Sequence, residues 1–143
     1  MPPSIDKKTI EERLRKLDEV ITKLEECKKA SKEDFLSDFR ISDSAMHNLV
    51  LGIEIIVDIG NHILNEVFQQ HPKEYKEIIE MLGEYKVVPE KFAEENVNMA
   101  RFRNLIIHQY LKINLNLVYD YLQKAPDIFR KFAKHFQKFL DKI

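Results

Sequence analysis

The sequence of 143 residues is long enough for one domain that buries its apolar surface in a single core, without disulfides or metal ions. Lysine and arginine number 23 against 24 acidic residues, so the formal net charge of -1 excludes the overall positive field of a protein that coats nucleic acid, and any RNA contact must be local. The composition is 44% hydrophobic and 33% charged, as in a globular chain, and only three glycines and five prolines predict few turns and therefore long elements.

The sequence shows no signal for export, membrane insertion or an oxidising compartment. Cys27 is the only cysteine, so no disulfide forms within the chain. No stretch approaches the roughly 18 consecutive apolar residues of a membrane span. The first six residues also lack the charged start and apolar run of a secretory signal. We therefore expect a soluble cytoplasmic protein.

An amphipathic first helix is predicted by apolar residues at alternating spacings of three and four, with Glu, Lys and Arg between them. These residues are Ile10, Leu14, Leu17, Ile21 and Leu24. The pattern weakens between Ser31 and Ser42. Within this interval, Phe35, Leu36 and Phe39 predict a short helical turn or connector that inserts into the core.

A second long helix is predicted from a cap at Ser42 or Asp43 to about Gln69. It is the most apolar part of the chain, so we expect it to be the central helix of the fold. Gly52 and Gly60 each cost roughly 1 kcal/mol of helix propensity relative to alanine. Their presence predicts that another backbone approaches closely at both positions.

The polar residues of this helix recur at spacings of seven, four, three and four, so they share one face. They are His47, Glu54, Asp58, Asn61 and Asn65. Two interpretations of this polar stripe remain open. The stripe is either a buried network at a subunit interface or a set of groups that orient a catalytic residue.

The second half of the chain predicts further helices. A short one runs from Glu74 to Leu82 and ends at Gly83, and another passes through the segment from Met99 to Tyr110. Asn114 caps a helix that reaches about Gln123, and Pro126 lies in the first turn of a last helix. That last helix has an aromatic stripe typical of core, consisting of Phe129, Phe132, Phe136, Phe139 and Ile143.

No segment shows sustained strand alternation, an internal repeat or a domain linker. The sequence therefore predicts a single all-α domain over residues 1–143. We expect an up-and-down bundle of four to five main helices with additional short helices.

One helical segment concentrates polar groups that suit chemistry. At about 100° per residue, Arg103, Asn104, His108 and Tyr110 form one polar arc, opposite apolar residues that anchor the helix to the core. Those anchors are Phe102, Leu105 and Ile106. Three apolar residues fall inside the arc, which predicts that the polar stripe, a second subunit or both cover it. They are Ala100, Ile107 and Leu111.

These residue types suit phosphodiester cleavage without a metal ion. Arg103 provides a phosphate clamp and His108 a proton shuttle near neutral pH, able to accept a proton from a ribose 2'-OH or to donate one to the leaving oxygen. The other histidines are too dispersed for metal-ligand spacing, so we predict no metal and no other cofactor. Because one chain supplies one such histidine, acid and base together require another group or a partner subunit.

The segment from Arg103 to Tyr110 has the form Arg-x-x-x-x-His-x-Tyr, with Asn104 directly after the arginine. This pattern resembles the signature of HEPN domains, and closely that of the HepT-like toxin family. The sequence from Ile53 to His62, the Val-Val-Pro before the motif and the phenylalanine-rich last helix agree with the resemblance, which covers nearly the whole chain.

The resemblance implies a HEPN-like fold and a metal-independent endoribonuclease that is the toxin of a type VII-like toxin-antitoxin system. It implies a homodimer with the two motifs facing across a cleft, RNA as substrate, and a minimal nucleotidyltransferase antitoxin that adenylylates the motif tyrosine. By match to the motif, Arg103 and His108 are catalytic, Asn104 is a supporting polar group and Tyr110 is the modification site. Three stripe residues are second-tier supporting candidates, namely Glu54, Asp58 and Asn61.

Two other functions remain open from the residues. The same arc suits a non-catalytic nucleotide-binding or docking subunit of a minimal nucleotidyltransferase, or a structural homodimer without a ligand. The basic residues of the last helix are expected to form its solvated back, with a role in holding RNA as the alternative. They are Lys124, Arg130, Lys131, Lys134, Lys138 and Lys142.

Overall fold

A computed structural model describes residues 5–109 and 111–143. In this part of the chain there are seven α-helices and no strand. The helices are α1 (Lys7–Lys28), α2 (Lys32–Ser37), α3 (Phe39–Phe68), α4 (Tyr75–Glu84), α5 (Glu90–Asn96), α6 (Met99–His108) and α7 (Leu115–Lys142). The predicted all-α bundle is confirmed, and none of the described helices has the length and apolar character needed to cross a membrane.

The three long helices α1, α3 and α7 pack against one another and enclose the core. The prediction that α3 is central is confirmed, because it also contacts α2, α4 and α6. The aromatic stripe of α7 is core as expected at Phe129, Phe132 and Phe136, which are fully buried, while Phe139 and Ile143 are half-buried and pack against the core. At about 1.5 to 3 kcal/mol for each buried large apolar side chain, this stripe is a major contribution to stability.

Close packing explains the glycines of α3, although the neighbours differ from those predicted. A methyl group at Gly52 would overlap the ring of Phe129, and one at Gly60 would lie 2.7 Å from Cδ1 of Leu82. The groups that approach are therefore side chains of α7 and α4, and not backbone. Small residues are required here because the two helices lie directly against α3.

The start of α3 differs from the prediction. The helix begins at Phe39, where Asp38 caps it by accepting a hydrogen bond from the Arg40 amide at 3.0 Å, while Ser42 is buried inside the helix. Of the three residues expected to insert into the core, only Phe35 does so. Leu36, in α2, is 39% exposed, and Phe39, the first residue of α3, is 71% exposed.

Helix α7 is continuous, so the predicted break near Pro126 is wrong. Asn114 caps it as expected, accepting from the Asn116 amide at 3.0 Å, but the helix passes through Pro126 and ends at Lys142. A proline inside a helix removes one backbone hydrogen bond and crowds the preceding turn. Burial of Leu122, Pro126 and Phe129 on the same core-facing side outweighs that cost.

The end of α4 also differs from the prediction. Gly83 does not terminate the helix but lies buried inside it, where a methyl group would come within 2.7 Å of Cβ of Ala93 in α5. The chain reverses instead at Lys86, which has a left-handed φ of 58°. The amides of Val87 and Val88 then both donate to the Leu82 carbonyl, at 2.9 and 3.2 Å. This tight turn places α5 against α4 and directs the chain into α6.

Candidate active site

Helix α6 positions the Arg103 to His108 segment. Its buried residues Met99, Ala100 and Ile106 face the core, so the predicted anchor role of Ile106 is confirmed. The half-buried ring of Phe102 packs against Tyr121 of α7, with the ring centroids 4.3 Å apart. One side of α6 is therefore held against α3 and α7, and its polar residues lie on the remaining sides.

Three helices converge on the Arg103 side chain. Its Nε donates a hydrogen bond to Oε1 of Glu54 on α3 at 2.5 Å. The hydroxyl of Tyr75, the first residue of α4, donates to the other oxygen of Glu54 at 2.7 Å. The guanidinium carbon lies 5.2 Å from the centroid of the Tyr75 ring, a cation–π distance. Arg103 is thus held on one edge by a carboxylate and on one face by an aromatic ring.

This arrangement leaves one guanidinium nitrogen available to a ligand. Nη1 donates to Oδ1 of Asn104 at 2.9 Å, and no acceptor for Nη2 exists among the described residues. Arg103 borders a surface cavity of about 670 Å³, also lined by Lys73, Tyr75 and Arg101. Because planar guanidinium donors match phosphate oxygens, the cavity can take a phosphate group.

His108 lies in a different cavity. It is the last residue of α6 and is exposed, and it borders a cavity of about 590 Å³ together with Asn104, Leu105 and Leu117. Five residues of helix separate His108 from Arg103 by about 7.5 Å along the axis and about 140° around it. The two side chains therefore do not meet within one chain. Asn98, Arg101 and Asn104 border both cavities and join them.

The polar stripe of α3 is not one network. Glu54 alone reaches the motif, through Arg103. Asp58 forms an ion pair with Arg13 of α1, away from α6. Asn61 accepts a hydrogen bond from the side-chain amide of Asn65 at 3.0 Å, and Asn65 in turn contacts His71. Of the three second-tier candidates, the structure brings only Glu54 to Arg103.

Tyr75 was missed in the sequence because it lies 28 positions before Arg103 and begins a helix with no unusual local pattern. Burial raises the pKa of the Tyr75 hydroxyl, and its hydrogen bond to the Glu54 carboxylate acts in the same direction. The hydroxyl therefore stays protonated and remains a donor to Glu54. Tyr75 is a positioning residue that acts on Arg103 through Glu54 and through its ring.

We expect Tyr75→Phe to lower kcat for RNA cleavage by about tenfold, because a hydrogen bond to a charged group contributes roughly 1.5 kcal/mol or more. Tyr75→Leu should lower kcat further, since it also removes the ring beneath the guanidinium. Steady-state kinetics with melting temperatures measure this effect. Tyr85→Phe is the matched control, because Tyr85 packs on Phe68 at the other end of α4. Wild-type kcat in Tyr75→Phe would contradict the positioning role.

The apolar residues inside the polar arc have different environments. Ala100 is buried within the chain itself, and Ile107 is half-buried. Leu111 is 84% exposed and Leu117, at the start of α7, is 49% exposed. The chain thus covers the beginning of the arc and leaves its end, beside His108, with exposed apolar surface. Tyr110 lies outside the described residues.

The described residues do not form a cluster of metal ligands. In residues 5–109 and 111–143, no three His, Cys, Asp or Glu side chains are grouped closely enough to hold a metal ion. The polar groups that converge at α6 are instead a guanidinium, a carboxylate, a phenol and amides. Of these groups, the guanidinium and the amides can bind an anion by charge and hydrogen bonding.

Comparison with known proteins identifies the family. The pattern of the Ribonuclease HepT-like family matches residues 10–136, so this chain belongs to that family. The mRNA nuclease HepT of Shewanella oneidensis is 26% identical over 98 residues, which are 68% of this chain and 74% of that protein. The tRNA nuclease HepT of Aphanizomenon flos-aquae is 23% identical over 137 residues, covering 96% of this chain and 93% of that protein.

Solved structures confirm the predicted HEPN-like fold. YutE of Bacillus subtilis, described as a cytosolic protein of unknown function, superimposes with a TM-score of 0.82 at 24% identity, covering 98% of this chain and 94% of its own. A tri-AMPylated HEPN toxin of Shewanella oneidensis, solved in complex with an MNT antitoxin, has a TM-score of 0.82 at 22% identity, covering 90% and 96%. At these identities the likeness concerns the fold alone.

Proposed function

We propose that this chain acts as a single-domain toxin that cleaves RNA without a metal ion, with Arg103 and His108 as catalytic residues. The observation that carries the proposal is the guanidinium of Arg103, held by Glu54 and Tyr75 at the border of an open cavity, on the same helix as an exposed His108. Membership of the HepT-like ribonuclease family supports the same activity.

In the proposed reaction the ribose 2'-oxygen attacks the adjacent phosphorus and the bond to the 5'-oxygen breaks. His108 accepts the proton of the 2'-OH or donates a proton to the leaving 5'-oxygen. Arg103 stabilises the charge on the pentavalent phosphate through the guanidinium donors that do not bind Glu54. Asn104 accepts from Nη1 at 2.9 Å and so keeps the guanidinium plane in place as a supporting group.

The proposal includes a homodimer, because one chain does not bring Arg103 and His108 together. The exposed Leu111 and Leu117 beside His108 offer apolar surface for a second copy of this chain. Two α6 helices facing each other would place His108 of one subunit near Arg103 of the other. Acid and base would then come from two histidines across one cleft.

We further propose that a minimal nucleotidyltransferase antitoxin neutralises the toxin by adenylylating Tyr110. The support is the fold shared with a tri-AMPylated toxin solved with an MNT antitoxin, together with the position of Tyr110 two residues after His108. A negatively charged adenylyl group at this position would repel the RNA phosphates and fill the space beside His108.

For the modification, we expect that mass spectrometry after coexpression with the nucleotidyltransferase shows AMP on the peptide containing Tyr110. Tyr110→Phe should remove the adduct and keep the toxin active despite the antitoxin, because the acceptor hydroxyl is gone. Tyr119→Phe is the control, since Tyr119 lies on α7 outside the motif and the substitution keeps the ring that packs on Phe35. An adduct that persists in Tyr110→Phe would contradict the assignment.

The activity itself is tested by incubating the purified protein with RNA in excess EDTA. We expect cleavage at the same rate as without the chelator, because the proposed groups need no metal. Absence of cleavage under all conditions would contradict the proposal.

One observation also supports the alternative function, a non-catalytic subunit that binds a nucleotide or docks a nucleotidyltransferase. The Arg103 cavity is lined by Lys73, Arg101 and Arg103, which suits the phosphates of a nucleotide in a non-catalytic docking subunit of a nucleotidyltransferase. Nucleotide binding by calorimetry, without RNA cleavage and without growth inhibition, would favour this alternative.

A further inference from the structure

The second half of α7 is strongly basic although the chain is not. From Lys124 to Lys142 it has six cationic and two acidic residues, a net charge of +4 against -1 for the whole chain. Four exposed lysines recur at spacings of seven, seven and four, which places them on one face of the helix. We define this lysine track as Lys124, Lys131, Lys138 and Lys142.

The lysine track differs from Arg130 of the same helix segment. Arg130 is paired with Glu25 of α1 at 3.1 Å and with Asp127 at 3.0 Å, so its charge is used to join α7 to α1. Within the described part of the chain, no carboxylate oxygen lies within 4.0 Å of any lysine in the track. The positive charge of the track is therefore available to a ligand.

The lysine track lies along a groove between α7 and the helices α5 and α6. Lys124 and Lys131 border a cavity of about 470 Å³ together with Phe92 of α5 and Phe102 of α6. Lys138 and Lys142 border a second cavity, of about 520 Å³. The Phe92 ring lines the first cavity and packs on His135 of the second, with the ring centroids 5.4 Å apart. We call the two cavities, with the Phe92–His135 ring pair between them, the groove.

The groove continues into the candidate active site. The first cavity shares Asn98 and Phe102 with the cavity that contains His108. At 1.5 Å per residue, the track from Lys124 to Lys142 is about 27 Å long. A chain bound along it would reach His108 without leaving the surface of the molecule.

The far end of the groove has a further cation in an unusual backbone conformation. Lys86 lines the second cavity and has a left-handed φ of 58°, which glycine adopts without steric cost. Beside it, burial lowers the pKa of His135, and the positive charges of Lys138, Lys134 and Lys131 act in the same direction. His135 is therefore a neutral aromatic surface between positive charges.

We infer that this groove binds the backbone of single-stranded RNA, with the lysine track on its phosphates, and leads the strand to His108. This inference rests on the proposed function. Lysines along a groove with aromatic surface are typical of sites that bind single strands regardless of sequence. Glu90 and Glu95 line the α5 side, so the phosphates lie against α7. Continuity with the His108 cavity favours RNA over an acidic protein segment.

The test measures RNA binding by fluorescence anisotropy in a His108→Ala background, where the strand is not cut. The triple variant Lys131→Gln, Lys138→Gln, Lys142→Gln is compared with a triple variant of α1, Lys8→Gln, Lys16→Gln, Lys23→Gln, which removes the same charge. At about 0.1 M salt we expect the α7 variant to bind about tenfold more weakly or worse. The slope of log affinity against log salt should fall by about 2, since each phosphate contact contributes roughly 0.7.

Replacing Glu90 and Glu95 with glutamine should have the opposite effect and tighten binding. Equal losses in the α7 and α1 variants would overturn the inference, because they would show only a net-charge effect. Loss of nucleotidyltransferase binding with unchanged RNA binding would also overturn it and assign the groove to a protein. If wild-type protein fails to cut RNA while the lysines still control RNA binding, the proposed catalysis fails and the RNA-binding groove remains.

Discussion

His108→Ala is expected to lower kcat for RNA cleavage by about 10²- to 10⁴-fold, the usual contribution of a positioned general acid or base. His108 is exposed at the end of α6, so alanine there removes the imidazole without opening the core. The folded structure and its melting temperature should remain close to wild type. Single-turnover cleavage of a labelled RNA in EDTA measures the chemical step separately from product release.

His47→Ala is the matched control, because His47 is also an exposed helical histidine but lies on α3. We expect wild-type cleavage from it. Equal activity of His108→Ala and wild type would assign the cleavage to a different group or to a contaminating nuclease. In a homodimer, mixing His108→Ala with an inactive Arg103 variant should restore part of the activity, because some mixed dimers contain one complete site.

Arg103→Lys is expected to lower kcat by about 10²-fold or more, with little change in stability. A lysine keeps the positive charge and an ion pair with Glu54, so no carboxylate is left unpaired. It loses the planar set of donors with which a guanidinium can hold Glu54 and a phosphate at the same time. Loss of one preorganised donor to a transition-state phosphate has an effect of this size.

Arg101→Lys provides the control for Arg103→Lys. Arg101 is exposed, lies two residues earlier on α6 and borders the same cavities, but the structure gives it no carboxylate partner among the described residues. We expect less than a threefold change in cleavage. Similar, small effects of both variants would show that Arg103 serves to join α6 to α3 and does not act on the phosphate.

The geometry of α6 links the catalytic proposal to assembly. A guanidinium and an imidazole about 140° apart on one helix lie on different sides of α6, and the homodimer that we propose would bring them to one phosphate. The exposed Leu111 and Leu117 lie at the histidine end, where a second copy would complete the site. Replacing both leucines with charged residues should therefore give a monomer that folds but does not cleave RNA.

Some features followed from local sequence alone. Apolar spacing predicted the helices, the central place of α3 and the aromatic core of α7, because a helix repeats its contacts every three to four residues. The same rule placed Arg103, Asn104 and His108 on one helix, and the motif gave the family resemblance that the comparison confirms. Errors occurred at Gly83 and Pro126, where core packing decided the boundary against local preference. At the start of α3 the local signal was read at the wrong residue, because Asp38 caps the helix and not Ser42 or Asp43.

Only the tertiary structure decided which polar groups meet. Glu54 and Asp58 are neighbours on one face of α3, yet Glu54 binds Arg103 and Asp58 binds Arg13. The helices packed around α3 determine which partner each carboxylate meets. Their arrangement depends on how apolar surfaces that are distant in the sequence pack together. For the same reason, Tyr75 joined the site without a signal in the sequence. The lysines of α7 are exposed, as expected, and the tertiary structure decided that Lys124 and Lys131 border a cavity next to that of His108.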